Sequence, residues 1–95
     1  MVSVENIEYA QSATVANVYG LHARPAAEFV KLASRFESKI LVSKDGLEVN
    51  GKSILGVMML AAERGSTIEI KARGSDAQDA VEALVNLVTN AFGEE

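Results

Sequence analysis

The chain has 95 residues, a formal net charge of −4 at pH 7, one histidine and no cysteine. A chain of this length builds one small domain and leaves no room for a separate substrate domain. The lack of cysteine excludes disulfides, thiolate catalysis and cysteine metal sites, and one histidine cannot make a histidine-rich metal cluster, so we expect no metal and no cofactor. The acidic balance argues against nucleic acid as a partner, because nucleic-acid binding relies on Lys and Arg.

The first residues do not resemble a secretory signal, since they carry Glu5 and Glu8 and lack a basic segment followed by an apolar one. No apolar run approaches the roughly 18 residues needed to span a bilayer. We therefore expect a cytoplasmic protein without direct membrane insertion. Residues 1–9 show no clear period and are expected to form a flexible leader before a domain of residues 10–95. The lack of sustained heptads favours a monomer.

A strand and a helix are predicted in the first third of the chain. Loose alternation over residues 12–18 predicts the first strand, which Gly20 ends. Apolar residues at helical spacing predict a helix from Ala23 to about Phe36. Pro25 is tolerated in its first turn, because the first N–H groups of a helix have no partner inside it.

A hairpin and a short helix follow. Residues 39–44 and 47–50 flank Asp45-Gly46, a pair that supplies the positive φ angles of a tight type I′ turn. Residues 54–62 then form a short apolar stretch that we interpret as helical.

The last third predicts a strand over residues 67–73, with apolar side chains on one face and polar ones on the other. Ser75 and Gln78 are spaced as a capping box for a final long helix, which Gly93 is expected to end. The order of elements is β-α-β-β-α-β-α. These elements predict an α+β fold, an open-faced sandwich with a four-stranded antiparallel sheet and three helices on one face.

His22 stands between a glycine-containing turn and the first predicted helix, in Gly20-Leu21-His22-Ala23-Arg24-Pro25-Ala26. If it caps the helix, the first-turn N–H groups and the helix dipole favour an anion beside its ring. Pro25 has no N–H, so the candidate donors of a phosphate cradle are those of Ala23, Arg24 and Ala26. An imidazole, with a reference pKa of about 6.5, offers a nucleophilic nitrogen at neutral pH, and the Arg24 guanidinium suits phosphate oxygens.

Ser53 opens the short helix, and serine is a preferred N-cap residue. These residues alone leave two roles open, a purely structural cap and a site of regulatory phosphorylation. A phosphate on Ser53 would have Lys52 beside it, so the modification would leave the fold stable and make the local surface negative.

The short helix is apolar on nearly all sides. Such a helix is buried all round or binds something, and a domain of this size hardly surrounds it. We expect Val57, Leu60 and Ala61 to face the core. The opposite side is expected to form an exposed docking surface for partner proteins, made of Ile54, Leu55 and Met58.

The segment around His22 and the segment Lys52-Ser53-Ile54-Leu55-Gly56-Val57-Met58 together resemble HPr, the histidine-containing phosphocarrier family of the bacterial phosphoenolpyruvate-dependent phosphotransferase system. The resemblance extends over about residues 12–92. It implies that Enzyme I, phosphorylated by phosphoenolpyruvate, donates a phosphoryl group to Nδ1 of His22. An Enzyme IIA protein or domain then accepts it, and Arg24 supports the phosphoryl group.

The resemblance also implies that Ser53 is phosphorylated by the ATP-dependent HPr kinase/phosphorylase and that the expected docking surface binds partners. Ala27 stands where relatives often carry a polar residue of that surface, which leaves partner preference open. The last residues, 90–95, resemble the nitrogen-related branch of the family. The choice between sugar transport and nitrogen or carbon signalling therefore remains open.

The leading hypothesis is a phosphoryl carrier, not an enzyme that turns over a small molecule. The alternative is a regulatory binding module of carbon or nitrogen signalling, read out through the phosphorylation states of Ser53 and His22. A hydrolase or nuclease with His22 as general base would need paired carboxylates or metal ligands, for which the sequence gives no pattern.

Overall fold

The structure, a computed structural model, describes residues 7–93. Its elements are β1 (Glu8–Thr14), α1 (Ala23–Ala33), β2 (Lys39–Lys44), β3 (Leu47–Asn50), α2 (Ile54–Met59), β4 (Thr67–Arg73) and α3 (Ala77–Thr89), followed by a 3-10 turn, Ala91–Gly93. The strands form one antiparallel sheet in the order β1-β4-β2-β3. α3 packs on β1 and β4, α1 lies against α2 and α3, and α2 lies beside β3. The predicted open-faced sandwich is confirmed.

One face of the sheet and the inner sides of the helices enclose the core. Buried side chains alternate along β2 and β4 and recur at helical spacing in α1 and α3, so the other face of the sheet meets solvent. Asp45 and Gly46 have φ angles of 51° and 86°, which the predicted tight turn between β2 and β3 requires. The buried set includes Phe29, Ile40, Val42, Ile68, Ile70, Ala72 and Leu84.

The first strand begins and ends four residues earlier than predicted. β4 is 7 residues long and pairs with β1 from Glu8 opposite Arg73 to Thr14 opposite Thr67. The prediction of a strand over residues 12–18 is therefore wrong in its second half, where the chain leaves the sheet. Glu8 and Tyr9 belong to β1 and not to the expected leader, of which residues 1–6 lie outside the described part of the chain.

The helices are shorter than the apolar spacing indicates. α1 ends at Ala33 and not near Phe36, because the N–H groups of residues 35 and 36 donate to carbonyls three residues back, of Leu32 and Ala33, in tighter turns than those of an α-helix. α3 ends at Thr89, and Ala91 turns the chain with a φ of 56°, so the stop predicted at Gly93 comes too late. No helix among residues 7–93 is long and apolar enough to cross a membrane.

The capping box predicted for α3 is not formed. Asp76 and not Ser75 is the N-cap residue, and Gln78 donates its side-chain hydrogen bond to Glu82 within the helix. The Asp76 carboxylate reaches outside the helix and accepts hydrogen bonds from the N–H groups of Glu37, at 2.9 Å, and Ser38, at 3.0 Å. The Ser38 hydroxyl donates to the same carboxylate. Asp76 thus connects the start of α3 with the segment before β2.

A tight turn positions the segment that leads into α1. Asn17 is fully buried, its Nδ2 donates to the Gly20 carbonyl at 2.6 Å, and the Gly20 N–H donates to the Asn17 carbonyl at 3.2 Å. The Leu21 N–H donates to the carbonyl of Ala62, beyond the end of α2, at 2.9 Å. Gly20 has a φ of 68°, and a Cβ there would collide with the Ala62 carbonyl oxygen. Glycine is therefore required where these two segments meet.

Asp76 makes the stability of the domain depend on pH in the acid range. Burial by itself raises the carboxyl pKa, but the hydrogen bonds from the Ser38 hydroxyl and the Glu37 and Ser38 N–H groups outweigh it and hold the pKa of Asp76 below its ordinary value of 3.8. Because the folded-state pKa is the lower one, this contribution to stability is present above the unfolded-state pKa. It is lost as the pH falls through the folded-state pKa.

We expect Asp76→Ala to lower the free energy of unfolding at neutral pH by about 1–3 kcal/mol, since it leaves the buried Ser38 hydroxyl without its acceptor. The difference in the free energy of unfolding between wild type and variant should become smaller below about pH 4. Urea unfolding at several pH values measures this difference. Asp79→Ala, which removes a carboxylate from the first turn of α3, serves as the control. A difference between wild type and Asp76→Ala that is the same at neutral and strongly acid pH would contradict this role.

Candidate functional site

His22 is the N-cap residue of α1, as the sequence indicates. Its backbone is extended, with a φ of −75° and a ψ of −173°, and its side chain makes no capping hydrogen bond to the first helical turn. The residue is half-buried, and Nε2 of the imidazole is buried. Because Nε2 is buried, this ring nitrogen is not open to a group that approaches from solvent.

An open depression of about 350 Å³ lies beside the imidazole. The turn before α1 forms one side of it, and the end of α2 with the segment that follows forms the other. The hydrogen bond between Leu21 and Ala62 joins these two sides. The residues that line the depression are Tyr19, Leu21, His22, Met58, Ala61, Ala62 and Glu63.

Tyr19 is a site residue that sequence reasoning missed. Its ring meets the His22 imidazole edge to face, with 6.1 Å between the ring centroids and 87° between the ring planes. Tyr19 lies outside any periodic apolar pattern and is 79% exposed. The only signal in the sequence is its position three residues before His22.

The Ala26 N–H is not one of the free backbone donors that we expected at the phosphate cradle. An N-cap carbonyl accepts the first hydrogen bond of its helix, and the Ala26 N–H donates to the His22 carbonyl at 3.0 Å. That N–H is therefore not available to a phosphate. Pro25 has no N–H, so Ala23 and Arg24 carry the backbone donors that remain at this end of α1.

Arg24 is exposed and lines a neighbouring depression of about 270 Å³, together with Glu28, Phe92 and Gly93. The structure therefore does not bring the Arg24 side chain into the depression beside the His22 ring. Its support of a phosphoryl group stays a prediction, which requires the long side chain to turn towards the imidazole.

Ser53 is the N-cap residue of α2, and its Oγ accepts a hydrogen bond from the Gly56 N–H at 3.0 Å. A Cβ on Gly56 would lie 3.3 Å from that Oγ and 3.2 Å from the Asn50 carbonyl oxygen, so glycine keeps this side of the hydroxyl uncrowded. The Lys52 ammonium, which we expected beside a phosphate, donates instead to the Phe36 carbonyl at 2.7 Å.

The two sides of α2 differ as predicted. Val57 and Leu60 are buried. The exposed side, which we call the docking surface, consists of Ile54, Leu55 and Met58, with Leu55 70% exposed. That partners bind this surface stays a prediction.

Two details around α2 differ from expectation. Ala61 is exposed and has a φ of 49°, and Ala62 is buried in its place, because α2 ends at Met59 and helical spacing no longer applies beyond it. Met59 is 60% exposed and extends the docking surface.

Ala27, which we also expected on the surface that binds partners, is exposed on α1.

Residues 9–90 match the family described as the PTS HPr component phosphorylation site. The phosphocarrier protein HPr of Cupriavidus necator is 48% identical over 81 residues, which are 85% of this chain and 91% of that protein. The HPr-like protein Crh of Halalkalibacterium halodurans is 54% identical over 69 residues, which are 73% of this chain and 82% of that protein.

Solved structures agree with these sequence matches. HPr-C-His from Thermoanaerobacter tengcongensis superposes with a TM-score of 0.88 at 46% identity and covers 92% of this chain and 98% of its own. A phosphocarrier protein HPr from Bacillus anthracis gives a TM-score of 0.84 at 48% identity, over 87% of this chain and 99% of its own. The chain belongs to the HPr family of phosphocarrier proteins of the phosphotransferase system.

Proposed function

We propose that this protein accepts a phosphoryl group on His22 Nδ1 from Enzyme I, which is phosphorylated by phosphoenolpyruvate, and passes it to an Enzyme IIA protein or domain in the cytoplasm. The position of His22 carries this proposal. The imidazole stands at the N-terminus of an 11-residue helix, with Nε2 buried and an open depression beside it. The protein is a carrier and not an enzyme, because His22 is modified in one step and regenerated in the next.

The transfer forms one P–N bond and breaks the bond between phosphorus and the donor. The lone pair of Nδ1 attacks phosphorus, and the leaving group departs with the electron pair of the broken bond. Transfer to the acceptor reverses these roles. The negative phosphoryl oxygens are favoured by the N–H groups of Ala23 and Arg24 and by the dipole of α1, and the Arg24 guanidinium supplies a further positive group.

Partner proteins bind the docking surface in this proposal. Met58 belongs to that surface and also lines the depression beside His22, so a partner that covers α2 also encloses the reactive ring. Donor and acceptor use the same surface in turn. Exposed methionine and leucine side chains suit this use, because they adapt to more than one partner. Ala27, exposed on α1, belongs to the same partner surface, and each monomer carries a complete site.

Phosphorylation of Ser53 by an HPr kinase/phosphorylase regulates the carrier in this proposal. The modification adds about −1.5 to −2 charges next to Ile54 and Leu55, at the edge of the docking surface. A partner that covers this surface would have to desolvate the phosphate, and an acidic partner surface would be repelled by it. Binding to Enzyme I is therefore expected to weaken.

A second candidate function is that of a regulatory module whose output is the phosphorylation state of Ser53 and His22. The observation that favours it is the 54% identity with the HPr-like protein Crh. A solved Crh from Bacillus subtilis, described as a catabolite repression protein, is 44% identical and gives a TM-score of 0.72. The two functions are compatible, since the two sites lie at separate helix starts.

His22→Ala is expected to abolish labelling by Enzyme I and labelled phosphoenolpyruvate. The wild type should carry a label that is labile in acid and stable in base, as a phosphorylated imidazole nitrogen requires. Gel analysis after acid and base treatment measures it, and circular dichroism shows that the variant is folded. Ser53→Ala, which keeps the histidine, is the matched control and should label like the wild type.

An unlabelled wild type, with an Enzyme I preparation that phosphorylates another carrier, would refute the carrier role. The regulatory module would then be the better account.

Ser53→Asp is expected to lower kcat/KM for phosphorylation by Enzyme I about tenfold or more, mainly through KM, because the added charge lies beside the docking surface. Raising the ionic strength should recover part of the loss. Stopped-flow or quenched-flow kinetics measure the effect. Ser53→Asn keeps a capping side chain without a charge and should remain close to wild type. Unchanged kinetics in Ser53→Asp would count against regulation at this position.

A further inference from the structure

We propose that Tyr19 is a positioning residue for His22, an inference that rests on the carrier function proposed above. Its ring holds the imidazole, through the edge-to-face contact at 6.1 Å, in the orientation that buries Nε2 and presents Nδ1 to the phosphoryl donor. Tyr19 thereby raises the fraction of molecules that are ready for transfer.

The backbone on both sides of this ring pair is fixed by hydrogen bonds. Two bonds between Asn17 and Gly20, at 2.6 and 3.2 Å, close the turn that carries Tyr19. The Leu21 N–H bonds to Ala62, and the His22 carbonyl accepts the first bond of α1. Only side-chain torsions are left to set how the two rings meet. The contact therefore acts directly on the orientation of the imidazole.

The fold does not need the Tyr19 ring. The side chain is 79% exposed and lies outside the buried core. It lines the depression in which His22 and Met58 meet. A substitution at this position therefore changes the site without opening a cavity in the core, so effects on transfer can be separated from effects on stability.

An exposed tyrosine beside a reactive group could instead serve only as a contact for partner proteins. Such a residue changes KM with a protein donor and leaves a reaction without a protein partner unchanged. A residue that orients the imidazole changes both reactions. Phosphoramidate is a probe without a protein surface. Its P–N bond breaks as the bond to His22 Nδ1 forms, and ammonia leaves with the electron pair of the broken bond.

The experiment compares Tyr19→Ala, Tyr19→Phe and Val18→Ala with the wild type in phosphorylation by phosphoramidate and by Enzyme I. Val18 is 49% exposed in the same turn and provides a matched loss of exposed apolar surface. Tyr19→Ala should slow phosphorylation by phosphoramidate about two- to tenfold, the range that an aromatic pair corresponds to, and should lower kcat with Enzyme I by a similar factor. Tyr19→Phe, which keeps the ring, and Val18→Ala should stay within twofold of wild type, about the lower end of that range.

The imidazole itself provides an independent readout. The ¹⁵N and ¹H signals of the His22 ring should shift in Tyr19→Ala and stay close to wild type in Tyr19→Phe and Val18→Ala. Equal phosphoramidate rates in wild type and Tyr19→Ala would overturn the proposal, as would equal losses in Tyr19→Phe or Val18→Ala. If the wild type takes no phosphoryl group on His22 from either donor, the carrier function itself fails. Labelling of the wild type without an effect of Tyr19→Ala overturns only the role of Tyr19.

Discussion

The close approach of the backbone at Gly20 to the backbone at Ala62 is the contact on which the site depends. His22 starts α1, while Met58 belongs to α2, and the chain between these helices contains the whole β2–β3 hairpin. His22 and Met58 line one depression because the Leu21 N–H donates to the Ala62 carbonyl. This close approach of the two backbones is possible because Gly20 has no Cβ, which would collide with the Ala62 carbonyl oxygen. His22 and the surface that we expect to receive partners are thus held in a fixed relation by a main-chain hydrogen bond, which does not depend on the side chains of α2.

Features that depend on local pattern could be predicted from the sequence. The hairpin follows from Asp45-Gly46, β4 from strict alternation, and the positions of His22 and Ser53 as N-cap residues from the turn and helix signals beside them. The division of α2 into a buried and an exposed side follows from the size of the domain, because a small core cannot surround an apolar helix.

Features that depend on distant contacts could not be predicted in this way. The bounds of β1 are set by the length of β4, and the role of Asp76 is set by Glu37 and Ser38, which lie 39 and 38 residues away. The spacing of Ser75 and Gln78 predicts Ser75 as the N-cap of α3. This local pattern contains no information about the Asp76 carboxylate, which takes the N-cap position and bonds to a distant segment. In the site, the contact of Tyr19 with His22 and the use of the Ala26 N–H inside α1 both depend on geometry that spacing alone does not contain.

The position of β1 in the sheet also bears on the order in which the domain folds. β1 is one of the two edge strands and pairs with β4, and the first residue of this pairing, Glu8, is 65 residues away from its partner Arg73. Closing so long a loop costs more conformational entropy than closing the short turn between β2 and β3. We therefore expect the β2–β3 hairpin to form early and β1 to join the sheet late. In native-state hydrogen exchange, the amides of β1 should then open at lower free energy than those of β4, which has a strand on both sides.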